Sequence, residues 1–120
     1  MHFWQFVFLN FCCTFFVYTL DIKWDGQCAK IYKLWIRRES YTNFKDTNSP
    51  TLCQQTCKND GHPFAGLNNG RLCICYEDEA IATAEEKDSG ECDKPCPGDS
   101  SVSCGAKYRC NIYSTKGNEA

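Results

Sequence analysis

Charged side chains are absent from the first twenty residues of this 120-residue chain. Residues 1–20 contain no Asp, Glu, Lys or Arg, and eight of them are Phe, Tyr or Trp. An uncharged apolar run directly after the initiator Met is typical of a secretory signal peptide. A Lys or Arg before the run and a small-residue cleavage motif after it are both missing, so retention of residues 1–20 as a membrane anchor is the alternative. Both interpretations place the rest of the chain outside the cytoplasm.

The sequence also has few histidines and a small net charge. After residue 20 the sequence has a single histidine, His62, in a turn between Gly61 and Pro63 that offers it no nucleophile partner. The formal net charge of −2 does not favour binding to nucleic acid or to an anionic membrane surface. Glu85 and Glu86 could be proposed as a glycosidase carboxylate pair, but a solvated acidic loop explains them better. These absences favour a non-catalytic protein, for which we expect no cofactor and no metal.

Cysteine, in contrast, is abundant after residue 20. Nine cysteines in about 100 residues match the density of a small disulfide-stabilised domain, and an oxidising compartment favours their pairing. Disulfides worth ~2–4 kcal/mol each would stabilise a chain that is otherwise polar and rich in loops. The nine are Cys28, Cys53, Cys57, Cys73, Cys75, Cys92, Cys96, Cys104 and Cys110.

Cap and turn residues predict one helix followed by one hairpin. Ser49 can cap a helix that has Pro50 at its first position and that ends at Gly61. The turn signal Asn68-Asn69-Gly70 then predicts a hairpin, because Asn and Gly tolerate positive φ. Its two strands are predicted over residues 64–67 and 71–76.

The remaining residues divide into strands and loops. Apolar, aromatic and β-branched residues predict strands over residues 28–36 and 107–113. Polar residues 37–48 and acidic residues 77–91 are predicted to be loops, and residues 92–105 a turn-rich segment.

The cysteine spacing predicts that the helix is cross-linked to the hairpin. Cys53 and Cys57 are four residues apart on the helix, so they share a face and are separated by ~6 Å along its axis. Cys73 and Cys75 share a face of a strand at a separation of ~6.6 Å. Two disulfides can therefore form side by side, pairing either 53–73 with 57–75 or 53–75 with 57–73. Zinc binding is the alternative, but structural zinc sites favour two-residue gaps and His ligands, and export favours oxidation.

From Ser49 to Tyr113 the chain resembles the WSC domain, a module found in fungal cell-wall stress sensors, some fungal glucan-active enzymes and Kremen receptors. The family pattern is C-x-x-x-C on a helix, an aromatic before A-G-L, C-x-C, C-x-x-x-C-x-G-[DN], and C-G with a closing strand that ends in Tyr. This chain shows LCQQTC, PFAGL, RLCIC, ECDKPCPGD and SCGAKYRCNIY in the same order and at the same spacings. Gly26 and Cys28 would supply the opening G-C element.

The resemblance implies an α+β fold: a small disulfide-rich, PAN/apple-like module in which one helix packs on a small antiparallel sheet. It also implies the pairs Cys28–Cys92, Cys53–Cys73, Cys57–Cys75 and Cys96–Cys104. Tyr76 stands where the family usually has Gly. Cys110 is an additional cysteine, and we predict a buried free thiol there rather than an intermolecular disulfide.

Carbohydrate is the first predicted ligand, because WSC domains are generally thought to bind it. Sugar rings dock on exposed aromatic side chains beside polar groups that contact the hydroxyls. We predict that an exposed platform contains Trp24, Tyr41 and Tyr76, with hydrogen bonds from Asn69 and Arg71.

Binding of an extracellular protein is the alternative, as in the Kremen receptors or the PAN modules. Basic residues 22–45 and acidic residues 77–99 could then steer the partner electrostatically. The predicted organisation is a signal peptide at 1–20, a poorly matched N-terminal part at 21–48, a WSC-like core at 49–113 and a tail at 114–120. We expect secretion, no nucleic-acid partner, and membrane attachment only through an uncleaved residue 1–20 segment.

Overall fold

The computed structural model describes residues 23–32 and 41–116 of the chain. The predicted signal peptide, residues 1–20, therefore lies outside the described residues, as does the end of the strand predicted over 28–36. Within the described part, no helix combines the length and the hydrophobicity that crossing a membrane requires.

An antiparallel sheet of six strands forms the centre of the domain, in the order β2-β4-β3-β8-β1-β5. Strands β6 and β7 form a separate antiparallel pair. The strand bounds are β1 Asp25–Ile31, β2 Tyr41–Asn43, β3 Phe64–Asn68, β4 Leu72–Tyr76, β5 Ala84–Glu86, β6 Pro95–Cys96, β7 Asp99–Ser103 and β8 Cys110–Ser114.

The predicted helix is present as α1, Pro50–Asn59. The Ser49 hydroxyl accepts a hydrogen bond from the Leu52 backbone N–H at 3.1 Å, which satisfies one of the free donors at the helix start. Gly61 adopts a φ of 83° just after the helix, where a left-handed residue ends it. Both ends of the predicted helix are therefore confirmed to within two residues.

The predicted hairpin is also confirmed. Strands β3 and β4 pair from Phe64↔Tyr76 to Asn68↔Leu72. Asn69 and Gly70 have φ values of 52° and 82°, which are the positive angles that a two-residue type I′ turn requires.

The sheet is buried on both faces. On one face, α1 covers a cluster made of cysteine sulfurs with Ala65 and Leu67. The opposite face has a core of aliphatic and aromatic side chains together with a cysteine. That core consists of Trp24, Ala29, Ile31, Ile74, Tyr76, Ile81, Cys110 and Ile112.

Four disulfides link the elements: Cys28–Cys92, Cys53–Cys73, Cys57–Cys75 and Cys96–Cys104. They are the same four pairs that the family resemblance implies. The two helix–strand disulfides have Cα–Cα distances of 5.4 and 5.3 Å, so the matched spacing on the helix and the strand holds both in an ordinary geometry. Although three of these sulfurs lie within 4.8 Å of one another, all of them are oxidised, so they are not available as thiolate ligands.

Residues 77–91 differ from the predicted loop. They contain a short helix α2, Asp78–Ile81, strand β5, and a 3₁₀ turn over Ser89–Glu91. The apolar side chain of Ile81 is buried in the core, and β5 pairs with β1 at the edge of the sheet. The sequence did not predict these elements because one buried Ile and a three-residue edge strand produce no clear hydrophobic periodicity in an acidic segment.

Two further segments contain unpredicted strands. Tyr41–Asn43 pairs with β4 within the predicted loop 37–48, and β6 and β7 form a hairpin within the turn-rich residues 92–105. Both are short edge or hairpin elements that are set by their partners rather than by strong local propensity.

A glycine in the A-G-L motif provides the space for an aromatic ring. A Cβ added at Gly66 would lie 2.6 Å from Cε2 of Tyr76, whose ring packs across the backbone at this point. Tyr76, which replaces the usual family glycine after C-x-C, is therefore part of the core.

Candidate ligand-binding surface

Two of the predicted platform residues are buried, so that part of the prediction is wrong. Trp24 is 7% exposed and Tyr76 is 4% exposed. Ser114 donates its backbone N–H to the Trp24 carbonyl at 3.0 Å, which holds Trp24 beside β8 and its ring in the core. The hydroxyl of Tyr76 lies 3.5 Å from the Cys110 sulfur, and burial raises the pKa of Tyr76 well above its usual value.

The other three predicted residues do not form a shared platform with each other. Tyr41 is 50% exposed, but it lies on edge strand β2 opposite Ile74. Arg71 is exposed and precedes Ile74 by three residues, which is ~10 Å along a strand. Asn69 is half-buried and serves the hairpin turn through its positive φ.

Two other exposed tyrosines lie near one end of the sheet. Tyr32 follows β1 and is 51% exposed, and Tyr108 precedes β8 and is 69% exposed. Charged side chains lie beside each of them. We call this the two-tyrosine surface, and it comprises Lys30, Tyr32, Glu85, Lys87, Glu91, Lys107, Tyr108 and Arg109.

The pairing of β1 with its two neighbouring strands brings together three charged residues of the two-tyrosine surface. Lys30 on β1 lies directly opposite Glu85 on β5, and residues paired in this way point to the same face of a sheet. The pairing of β1 with β8 reaches Ala29↔Cys110, so Lys30 and Arg109 are the next residues on the two strands. Tyr32 follows Lys30 by two residues.

Hydrogen bonds and an ion pair hold the β5 side of this surface. The Tyr32 hydroxyl donates to Oε1 of Glu85 at 3.3 Å, and Nζ of Lys87 lies 2.5 Å from the same oxygen. The bond to Lys87 lowers the pKa of Glu85 first, with further contributions from the Lys87 charge and the Tyr32 hydroxyl. The same carboxylate raises the pKa of Lys87. Glu85 therefore stays ionised, and these contacts are lost only as the pH falls through its lowered pKa.

A disulfide positions the β8 side of the surface. The Cys28–Cys92 bond anchors the 3₁₀ turn to β1, and Glu91 comes directly before Cys92. Nε of Arg109 lies 2.7 Å from Oε1 of Glu91. Another guanidinium nitrogen of Arg109 donates to the Tyr108 carbonyl at 2.8 Å, which fixes the backbone of that exposed residue.

Each exposed ring also has an ammonium group over it. Nζ of Lys30 is 5.0 Å from the centroid of the Tyr32 ring, and Nζ of Lys107 is 5.4 Å from that of Tyr108. Both distances fall within the range of a cation–π interaction. The surface thus combines two aromatic rings with cationic and anionic hydrogen-bonding groups.

The basic and acidic segments of the sequence contact each other. Strand β1 belongs to basic residues 22–45 and strand β5 to acidic residues 77–99, and these strands pair. Within the described residues, the charges of Lys30 and Glu85 therefore partly neutralise each other across the paired strands.

His62 contributes contacts within the fold. Its Nδ1 contacts the Glu77 carboxylate, which connects the end of α1 to the end of β4. Its carbonyl accepts a hydrogen bond from the Thr115 hydroxyl at 2.7 Å. These contacts give His62 a role in joining three elements.

Cys110 is a free thiol and is only 1% exposed. Burial raises its pKa from 9.0 to about 11, although hydrogen bonds from Tyr76 and Asn68 partly oppose this. A thiol that is both buried and protonated is a poor nucleophile. The geometry therefore favours the buried thiol over an intermolecular disulfide.

This environment predicts that Cys110 is unreactive in the native protein. We expect iodoacetamide at pH 8 to leave it unlabelled, because only about one thiol in a thousand is ionised three pH units below its pKa. Labelling should become complete once guanidinium unfolds the chain, as read by mass spectrometry of the Cys110 peptide. Rapid labelling of the folded protein at pH 8 would contradict the assignment.

The predicted platform did not include Tyr32 or Tyr108. One pattern does point to Tyr32: it continues the alternation of Cys28 and Lys30 one residue beyond β1, which favours a shared face for a basic and an aromatic residue. Lys107 and Tyr108 follow the C-G turn, where exposure is common.

The fold and its cross-links define the chain as a small disulfide-rich α+β module. The family model of the WSC domain matches residues 32–106, which is more than half of the chain. The protein therefore belongs to the WSC domain family.

Several relatives share this module within much longer proteins. Over 75 residues, 62% of this chain, it is 43% identical to xylosyltransferase oxt of Drosophila pseudoobscura pseudoobscura and 37% identical to its counterpart in Drosophila melanogaster. It is 39% identical over 69 residues, 58% of the chain, to a WSC domain-containing protein of Arthroderma benhamiae. The matches span only 8% of each fly protein and 9% of the fungal one. The similarity to the two transferases therefore concerns the WSC segment alone.

Proposed function

We propose that this protein is a non-catalytic, secreted module that binds carbohydrate through the two-tyrosine surface. The observation that carries the proposal is the pair of exposed rings, Tyr32 and Tyr108, which lie just beyond the ends of the paired strands β1 and β8. The names of the fly relatives also concern sugar transfer, and what they share with this chain is the WSC segment.

The chemistry of the surface suits a sugar. A tyrosine ring offers an apolar face to the C–H groups of a pyranose, and nearby charged groups can bond to its hydroxyls. Glu85 can accept such hydrogen bonds, and Lys87 and Arg109 can donate them. Two rings at separate points would bind consecutive units of a chain more readily than a single sugar.

The same carboxylates support a binding role over catalysis. A glycosidase acid needs a raised pKa, but the contact with Lys87 lowers that of Glu85. Glu91 is engaged by Arg109. Four disulfides in the described part of the chain are typical of secreted domains, which supports a role outside the cytoplasm.

Glycan-array binding tests the proposal. We expect the wild-type protein to bind a subset of the glycans, and Tyr32→Ala and Tyr108→Ala each to weaken binding about tenfold, because loss of a stacked ring costs ~1–2 kcal/mol. Tyr41→Ala is the matched control, since Tyr41 is equally exposed but lies on the far edge of the sheet.

Retention of the native disulfides and near-ultraviolet circular dichroism would show that each variant is folded. Glycan binding that survives both substitutions, or that is lost only with Tyr41→Ala, would overturn the assignment of this surface.

A further inference from the structure

The two-tyrosine surface differs in charge from the rest of the protein. Its four basic side chains outnumber its two carboxylates, although the whole chain has a formal charge of −2. The named side chains of this surface therefore carry a net positive charge in a chain whose formal charge is negative.

The four basic groups fall into two kinds. Lys87 and Arg109 are paired with Glu85 and Glu91, respectively. Lys30 and Lys107 form no ion pair within 4.0 Å in the part of the chain that the structure describes; each instead lies over a tyrosine ring. Lys30 lies opposite Glu85 and helps to lower its pKa, but neither lysine is in a direct ion pair, so both ammonium groups can still bind an anionic partner.

The position of the two ammonium groups also affects which sugar can stack on the tyrosine rings. Any pyranose that stacks on this face of the ring must displace the ammonium, and a neutral one offers that ammonium only a hydroxyl in return. A sugar with a sulfate or carboxylate group can bind the ammonium through a charge-assisted hydrogen bond while its ring packs on the tyrosine. The arrangement thus favours an acidic sugar at both rings.

We propose that the ligand of this surface is an acidic polysaccharide, in which anionic groups on nearby units bind Lys30 and Lys107 while the sugar rings stack on Tyr32 and Tyr108. This inference rests on the proposed carbohydrate-binding function and specifies its ligand class. Sulfate and carboxylate share the chemistry that the lysines recognise, so the experiment separates them.

The test compares three probes of equal length by titration calorimetry: a heparin oligosaccharide, its fully desulfated and N-acetylated form that keeps only the carboxylates, and neutral cello-oligosaccharide. We expect at least one acidic probe to bind about tenfold or more tightly than the neutral one, with an affinity that falls as salt rises. If the desulfated probe retains the affinity, the lysines recognise carboxylates, whereas if only the sulfated probe binds tightly they recognise sulfate.

Variants decide whether the named lysines are responsible. The double variant Lys30→Gln with Lys107→Gln should lose about tenfold in affinity for the acidic probe and bind the neutral probe no less tightly. The matched control, Lys23→Gln with Lys116→Gln, removes the same charge. Lys23 lies over the buried Trp24 ring at 4.8 Å, near the opposite end of β1.

The two proposals fail in distinguishable ways. Equal affinity for acidic and neutral probes, with loss of both in Tyr32→Ala, would overturn the acidic-ligand inference and leave carbohydrate binding intact. Equal loss of acidic-probe affinity in the Lys23/Lys116 control would also overturn it, because net charge alone would then explain binding. Failure of all carbohydrate probes, in titration and on the array, would overturn the proposed function itself.

Discussion

Removal of the Cys28–Cys92 disulfide, as Cys28→Ala with Cys92→Ala, should cost more stability than removal of any other cross-link in the described part of the chain. Its sequence separation is 64 residues, against 20, 18 and 8 for the others. The chain-entropy relation gives about 4 kcal/mol for a loop of this length and about 2.5 kcal/mol for the shortest. Guanidinium unfolding of each double variant, monitored by circular dichroism, measures the difference.

The same double variant should also weaken ligand binding, for a separate reason. The disulfide holds the 3₁₀ turn against β1, and this places Glu91 beside Arg109. Without it, Arg109 loses the partner that orients it next to Tyr108. The control is Cys96→Ala with Cys104→Ala, which removes a cross-link that joins β6 to the residue after β7. Equal destabilisation of the two double variants would contradict the larger stabilising role of Cys28–Cys92. Equal sugar binding by the two variants under native conditions would contradict its role in positioning Arg109.

Local chemistry was sufficient to predict the helix and the hairpin. Ser49, Pro50 and Gly61 each have a conformational preference that sets a helix boundary. Asn69 and Gly70 require no tertiary contact to form their turn. Residues 53, 57, 73 and 75 then dictate how the two elements pack, because the rises of a helix and a strand match at these spacings.

Local sequence patterns could not predict which individual aromatic side chains are exposed and which are buried. Trp24 lies in a polar stretch beside Lys23 and Asp25, yet its backbone bonds to β8 and its ring packs in the core. Tyr76 is buried because Gly66, ten residues away, leaves room for its ring on the neighbouring strand. Both outcomes depend on strand order, which the sequence pattern alone does not specify.

The candidate surface depends on strand order in the same way. Lys30, Glu85 and Arg109 are far apart in the sequence, and they meet only because β5 and β8 lie on either side of β1. The sequence shows only that basic and acidic residues are concentrated in different segments. The pairing of β1 with β5 is what brings Lys30 opposite Glu85 and produces a surface of mixed charge beside the aromatic rings.

Motif glycines provide the second prediction with a large effect. Gly105, in the C-G motif, has a φ of 73° and lies where three backbone segments converge. A Cβ at this position would be 2.3 Å from the Leu67 carbonyl oxygen and 2.5 Å from that of Arg109. Because these are backbone atoms of β3 and of the turn before β8, no side-chain rotation can relieve the contact. We expect Gly105→Ala to lower the free energy of unfolding by ~2–5 kcal/mol, the sum of a left-handed strain of ~1–2 kcal/mol and an overpacking cost of ~1–3 kcal/mol.

Gly61→Ala isolates the strain from the contact. Gly61 has a similar φ of 83°, but a Cβ there would meet nothing within 4 Å. The control should therefore lose only about 1–2 kcal/mol, since it carries the left-handed strain alone. Denaturant unfolding of the two variants under oxidising conditions gives the comparison directly. Equal losses for Gly61→Ala and Gly105→Ala would show that backbone strain, and not close approach of β3 to the C-G turn, explains the glycine of that motif.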